Sequence, residues 1–216
     1  VNFAPKPLVG RSLADQAVER STERVVTARA REAELLMRAA TEMMVQLGFE
    51  RRATVADIVA AAGLSNQAFY RNFASKDDLI AALVDAGARR LVDYLAHQQA
   101  LIDDPREQIR VWIRGVLSQA ADPAVAAPTR AVAWNRGALD AAADTDARGA
   151  EPMIWALLEA PFAALGAEDP PAAAYLTGRL VFAVLIDVLW AEPAPPLSDL
   201  DFVTSFVLAR VDPPPG

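Results

Sequence analysis

Between Thr54 and Leu79 the chain encodes two short helices around a single glycine, with a third helix starting directly after them. Thr54 and Asp57 have the spacing of a capping box, in which a hydroxyl accepts from the third helical N–H and an acid reaches back to the cap. Val55, Ile58, Val59 and Ala62 then recur at helical spacing, which gives the first helix one apolar face. Gly63 is the residue able to take a positive φ and turn the chain sharply. Ser65 is placed to cap a second helix from Asn66 to about Phe73, and Ser75 with Asp78 repeats the box before Leu79, Ile80, Leu83 and Val84. A helix, a glycine turn and a second helix form the helix-turn-helix pattern, whose second helix enters the major groove of DNA.

These residues resemble the N-terminal signature of the tetracycline-repressor (TetR) family of transcriptional regulators. Thr54, Ile58, Val59, Ala62, Gly63, Ser65, Phe69, Tyr70, Phe73, Lys76 and Leu79 carry the resemblance at fixed spacing. Two positions depart from the common form: Val59 replaces a small alanine, and Asn72 stands where His or Tyr is more frequent. The signature extends over roughly Arg24 to Leu95, and beyond it the match is one of architecture. The resemblance implies an all-α protein that binds double-stranded DNA at a palindromic operator as a homodimer. It also implies a small-molecule effector bound in a C-terminal helical domain, with no cofactor, no catalytic residues and no metal.

Composition narrows the alternatives. The chain has 216 residues, of which 53% are hydrophobic, enough for one large core or two that share helices. There is no cysteine, so disulfides and thiol chemistry are excluded, which fits a reducing cytoplasm. His97 is the single histidine and cannot build a histidine metal site. The opening residues hold no continuous apolar stretch, so no signal peptide is expected. The greasiest run, Leu180 to Ala191, is short for a membrane span and contains Asp187, which predicts a buried helix and no membrane partner.

The net charge of −7 is unevenly placed. Residues 1–90 carry thirteen Lys/Arg against eleven Asp/Glu, whereas residues 91–216 carry eight against seventeen. The acidity therefore belongs to the second half, and the DNA-reading half is mildly basic. Lys6, Arg11, Arg20, Arg24, Arg29, Arg31, Arg51, Arg52, Arg71 and Lys76 are its available phosphate partners.

Punctuation sets the expected organisation. Pro5, Pro7 and Gly10 mark residues 1–26 as a flexible tail or, alternatively, an arm that reaches along DNA. A first helix is expected from about Thr27 to Leu47, closed by Gly48, and a long one from Lys76 to about His97. The DNA-binding domain is thus 27–74 and the effector-binding and dimerisation domain 75–216. Asp104-Pro105, Asp122-Pro123, Glu151-Pro152 and Asp169-Pro170 predict helices at about 105–120, 124–140, 152–165 and 171–191. Pro161 should kink or split the third of these, Pro128 can break the second, 140–149 reads as a loop, and a last helix runs from Ser198 to about Arg210.

Within the reading helix, Asn66 and Gln67 occupy the end that meets base edges, and both can pair bidentately with adenine. Ala68 is small enough to approach a thymine methyl. By resemblance Tyr70 and Lys76 contact phosphate. Thr54 and Ser65 cap helices and can also touch phosphate, while Arg51, Arg52 and Arg71 are either backbone contacts or solvated surface. Phe69 and Phe73 are expected in the core. Candidates for the effector site are Trp112, Arg130, Trp134, Trp155 and Tyr175, with Asn135, Arg179 and Asp187 nearby in sequence. Aromatics at helical spacing serve cores as well as ligand cages. Arg130 and Trp134 stand one turn apart, where they can stack and clamp an acidic group. The competing function is a helical ligand-binding or enzymatic protein whose helix-turn-helix meets protein instead of DNA.

Overall fold

The computed structural model describes residues 13–136 and 151–209, and among them all regular structure is helical. Helix α1 (Leu13–Leu47) is followed by α2 (Val55–Ala62), α3 (Asn66–Asn72), α4 (Lys76–Ala100), α5 (Pro105–Ala121) and α6 (Pro123–Arg136). Then come α7 (Glu151–Ala156), α8 (Glu159–Ala164), α9 (Pro170–Leu189), a 3₁₀ turn (Leu197–Leu200) and α10 (Asp201–Leu208).

Helices of seven and eight residues are marginal alone, so α2 and α3 exist because they are capped and packed. Thr54 Oγ1 accepts from Asp57 N–H while Asp57 accepts from the Thr54 N–H, closing the expected box. Gly63, at φ 65°, ends α2 in the left-handed conformation, and Leu64 N–H reaches back to the Val59 carbonyl. Ser65 caps α3 and Ser75 caps α4. These helices then bury Ile58, Val59, Phe69, Leu79 and Ile80 against Leu36, Ala40 and Met44 of α1, which forms the first core.

The second core centres on α5, where Ile109, Trp112, Ile113, Val116 and Leu117 are buried beneath α4, α8, α9 and α10. The Trp112 Nε1–H donates to the Ile154 carbonyl at 2.9 Å. Gly178 of α9 lies under the Trp155 indole with no room for a Cβ. The expected 152–165 helix is split, and Pro161 is the reason: with no N–H it leaves the Leu157 carbonyl unpaired within the helix. The buried Gln99 side chain donates to that carbonyl instead, at 3.3 Å. Pro128, by contrast, sits inside a continuous α6.

Two expectations need correction. The first helix does not begin near Thr27; it is helical from Leu13, because no Gly or Pro interrupts the chain between Gly10 and Gly48. The division at residue 75 is not a division between cores. Helix α4 gives Leu79, Ile80 and Leu83 to the first core and Leu95 to the second, and Ala131 of α6 is also buried in the first. Helix α9 lies where a buried helix was expected, and it spans twenty residues, long and apolar enough to cross a membrane by length and composition. Its Ala174, Val181, Leu185, Val188 and Leu189 are nevertheless buried in the second core. The expected loop at 140–149 and the tail before Leu13 lie outside the described residues.

Candidate nucleic-acid interface and the effector side

The capped turn between α2 and α3 fixes how α3 is presented. Asn66, Gln67, Tyr70 and Arg71 are exposed along it, and Tyr70 keeps 59% of its surface while its ring edge rests on Phe69 at 5.3 Å. Phe69 is fully buried and Phe73 packs partly on the same core, as expected. Ala68 is different. It is only 5% exposed, so its methyl faces the domain interior and the expected thymine contact is not available in this conformation. With an apolar face of α3 committed to α1, the residue between Gln67 and Phe69 has to turn inward.

The basic residues around α3 are mostly engaged within the domain. Arg51 holds Asp57 in a two-pronged pair at 2.6 and 3.0 Å, which lowers the Asp57 pKa well below the ordinary carboxylate range. The Thr54 N–H and hydroxyl add to that shift. Arg71 pairs with Glu32 of α1 at 2.7 Å, and Asn72 donates to the same carboxylate at 3.2 Å. Those contacts, Arg71 first, lower the Glu32 pKa. Asn72, the position that departs from the family form, thus ties α3 to α1. The Lys76 ammonium donates to the Ala53 carbonyl at 3.3 Å. Thr54 and Ser65 have their hydroxyls in the caps. Arg52 is exposed, with its guanidinium 5.9 Å from the centre of the Trp134 ring.

The five effector candidates do not converge on one cavity. Trp112 is completely buried and leaves no surface for a ligand. Trp155 and Tyr175 do meet, edge to face at 5.2 Å, with Phe182 next to them. Trp134 lies against Phe49 of the α1–α2 loop at 5.4 Å, and Phe49 also touches Trp190 at the end of α9 at 5.7 Å. Trp134 is therefore part of the contact between the two cores. One turn earlier on α6, Arg130 keeps a buried Nε without a hydrogen-bond partner.

Asn135 completes that contact. It is 3% exposed, and its Oδ1 accepts the Ala53 N–H at 3.0 Å while its Nδ2 donates to the Ala131 carbonyl at 2.9 Å. Ala53 immediately precedes the cap of α2, and its N–H is held from the effector side by Asn135 while its carbonyl is held from α4 by Lys76. Sequence reasoning grouped Asn135 with the effector candidates and missed Phe49 and Trp190. An aromatic directly after Gly48 was the available hint for Phe49, but no local pattern announces a bond spanning 82 positions.

Residues 36–83 match the family model described as bacterial regulatory proteins, tetR family. That segment holds the last third of α1, all of α2 and α3, and the start of α4. Among solved structures, the chain is similar to a transcriptional regulator assigned to the TetR family from Mesorhizobium loti MAFF303099. Identity is 19%, the TM-score 0.62, and 85% of this chain and 96% of that one are covered. A transcriptional regulator from Rhodococcus sp. Rha1 gives 20% identity and a TM-score of 0.61, covering 83% and 95%. The fatty acid degradation regulator FadR from Bacillus halodurans gives 18% and 0.58, covering 82% and 94%. Identities this low speak for the fold, which is shared over nearly the whole of each structure. No curated protein matches significantly in sequence. The capped helix-turn-helix segment thus matches the tetR-family model, and the fold of the whole chain is similar to that of solved transcriptional regulators.

Proposed function

We propose that the chain is a ligand-responsive repressor that binds a palindromic operator as a homodimer and is released by a hydrophobic or amphipathic effector. The observation that carries the reading is the exposed row Asn66, Gln67 and Tyr70 on a helix held rigidly by two caps and the α1 core. In this reading Asn66 and Gln67 read base edges, and Tyr70, Arg52 and Lys76 meet phosphates. Arg51 and Arg71 act mainly in shaping the domain, because their guanidinium groups already hold Asp57 and Glu32.

A homodimer is supported by apolar side chains that one subunit leaves uncovered. On α9 and α10, Leu185, Val188, Val203 and Leu208 are buried in the subunit's own core. Phe202 and Phe206 remain 63% and 61% exposed on α10, and Leu176 and Ile186 are exposed on α9. Burying each such side chain contributes about 1.5–3 kcal/mol, and a two-fold bundle of α9 and α10 with their copies covers them together.

The effector class is read from two places that do not meet in one cavity in this conformation. Trp155, Tyr175 and Phe182 supply aromatic surface, and the unpaired Arg130 Nε is a buried donor suited to a carboxylate or phosphate. One of the similar structures is, by its name, a regulator of fatty acid degradation, a chemistry compatible with an amphipathic acid. Release then requires the effector to prefer the conformation that misplaces the two reading helices, since equal affinity shifts nothing. Helix α4 and the Asn135 contact of α6 both reach from the effector side to the reading domain.

The test is footprinting with salt titration. Two protected half-sites are expected, about 34–36 Å or a multiple apart. Tyr70→Phe should weaken binding to all sequences alike, whereas Gln67→Ala should relax preference at one base position. Absence of a symmetric protected site, together with salt-independent binding, would overturn the reading.

A further inference from the structure

Among the described residues beside α3, only the exposed Arg52, and Lys76 where it is shared with a backbone carbonyl, are left for DNA. Arg51 and Arg71 are paired with Asp57 and Glu32, and the Lys76 ammonium bonds a carbonyl. Helix α1, however, continues as a rod beyond the first core, and every residue from Val18 to Arg31 is exposed. Arg20, Arg24 and Arg31 stand four and eleven positions apart, so at 3.6 residues per turn they lie within about 40° of one another round the helix. None of the three has an ion pair or hydrogen bond through its guanidinium among the described residues. Exposed arginines in a row with no internal acid to hold them are free to take an external anion.

The placement of the rod indicates which anion. Glu32, next to Arg31, binds Arg71 and Asn72 at the C-terminal end of α3, so the row starts beside the reading helix. From Arg20 to Arg31 it covers about 16 Å at 1.5 Å per residue, long enough to meet several backbone charges of a duplex. We propose that Arg20, Arg24 and Arg31 form a second phosphate-binding surface, which takes the DNA backbone flanking the site occupied by α3. The proposal rests on the DNA-binding reading and adds to it a contact outside the helix-turn-helix. It also explains how a domain with little excess positive charge holds DNA: the useful cations are carried on the extension.

Counterion release is independent of sequence, so a random-sequence duplex several helical turns long serves as the probe. Full-length wild type, the triple variant R20Q/R24Q/R31Q and the triple variant R20K/R24K/R31K are titrated with salt by fluorescence anisotropy. Three lost phosphate contacts should flatten the plot of log K against log salt by about 2.7 per bound subunit, roughly twice that for a dimer, while the lysine variant should keep the wild-type slope. Equal slopes for wild type and the glutamine variant overturn the arginine row and leave the DNA-binding reading standing. Wild type that shows no salt-dependent binding overturns both. If the glutamine variant instead weakens self-association in sedimentation with its DNA slope unchanged, the row docks on the acidic half of a second copy, and the proposal fails.

Discussion

Removing the Asn135 side chain tests whether the effector half holds the reading half in place. In Asn135→Ala the Ala53 N–H loses its acceptor at a position only 1% exposed, where no solvent replaces it. A buried donor left unpaired costs about 1–3 kcal/mol, a large share of the roughly 5–15 kcal/mol that keeps a domain folded. The loss falls on the residue before the α2 cap, so it should loosen the first core more than the second. Urea unfolding gives the global change, and amide exchange at Ala53 and Thr54 locates it. Because Asn135 and Lys76 hold the N–H and the carbonyl of one residue, Asn135→Ala and Lys76→Met should be coupled beyond the roughly 0.3–0.5 kcal/mol scatter of independent sites. A loss below about 0.5 kcal/mol with unchanged exchange at Ala53 would show that the bond is dispensable. Additive single and double variants would show that Ala53 is not a shared anchor.

Two further outcomes follow from the same contacts. Arg51 and the Thr54 cap lower the Asp57 pKa in the folded state, so this group stabilises the fold above its unfolded pKa of about 4 and the contribution is lost as pH falls below it. Asp57→Asn should therefore be less stable than wild type at neutral pH and converge with it in acid, and parallel pH–stability curves from thermal melts would contradict this. For the effector, a thermal-shift screen should find lipophilic acids stabilising wild type more than Arg130→Ala. Equal shifts would remove Arg130 as the anchor, and stabilisation by small hydrophilic compounds alone would remove the apolar site.

Short-range pattern was enough for the helix-turn-helix. Its two caps, its glycine turn and its apolar face each depend on residues within about four positions of one another, so backbone hydrogen bonding and side-chain periodicity specify them locally. The same logic located the proline helix starts and the break forced by Pro161. Placement around that frame was not legible. Ala68 turned inward because packing on α1 chooses the face of α3, and α9 is apolar on so many sides that its sequence could not show which would be left uncovered. Arg51 and Arg71 looked like free phosphate ligands until Asp57 and Glu32 were brought beside them. Trp134 and Asn135 looked like ligand residues until Phe49 and Ala53 met them across the chain. A charged or aromatic side chain takes whatever partner the fold places within a few ångströms, and that partner is set by the packing of whole helices, which only the tertiary structure decides.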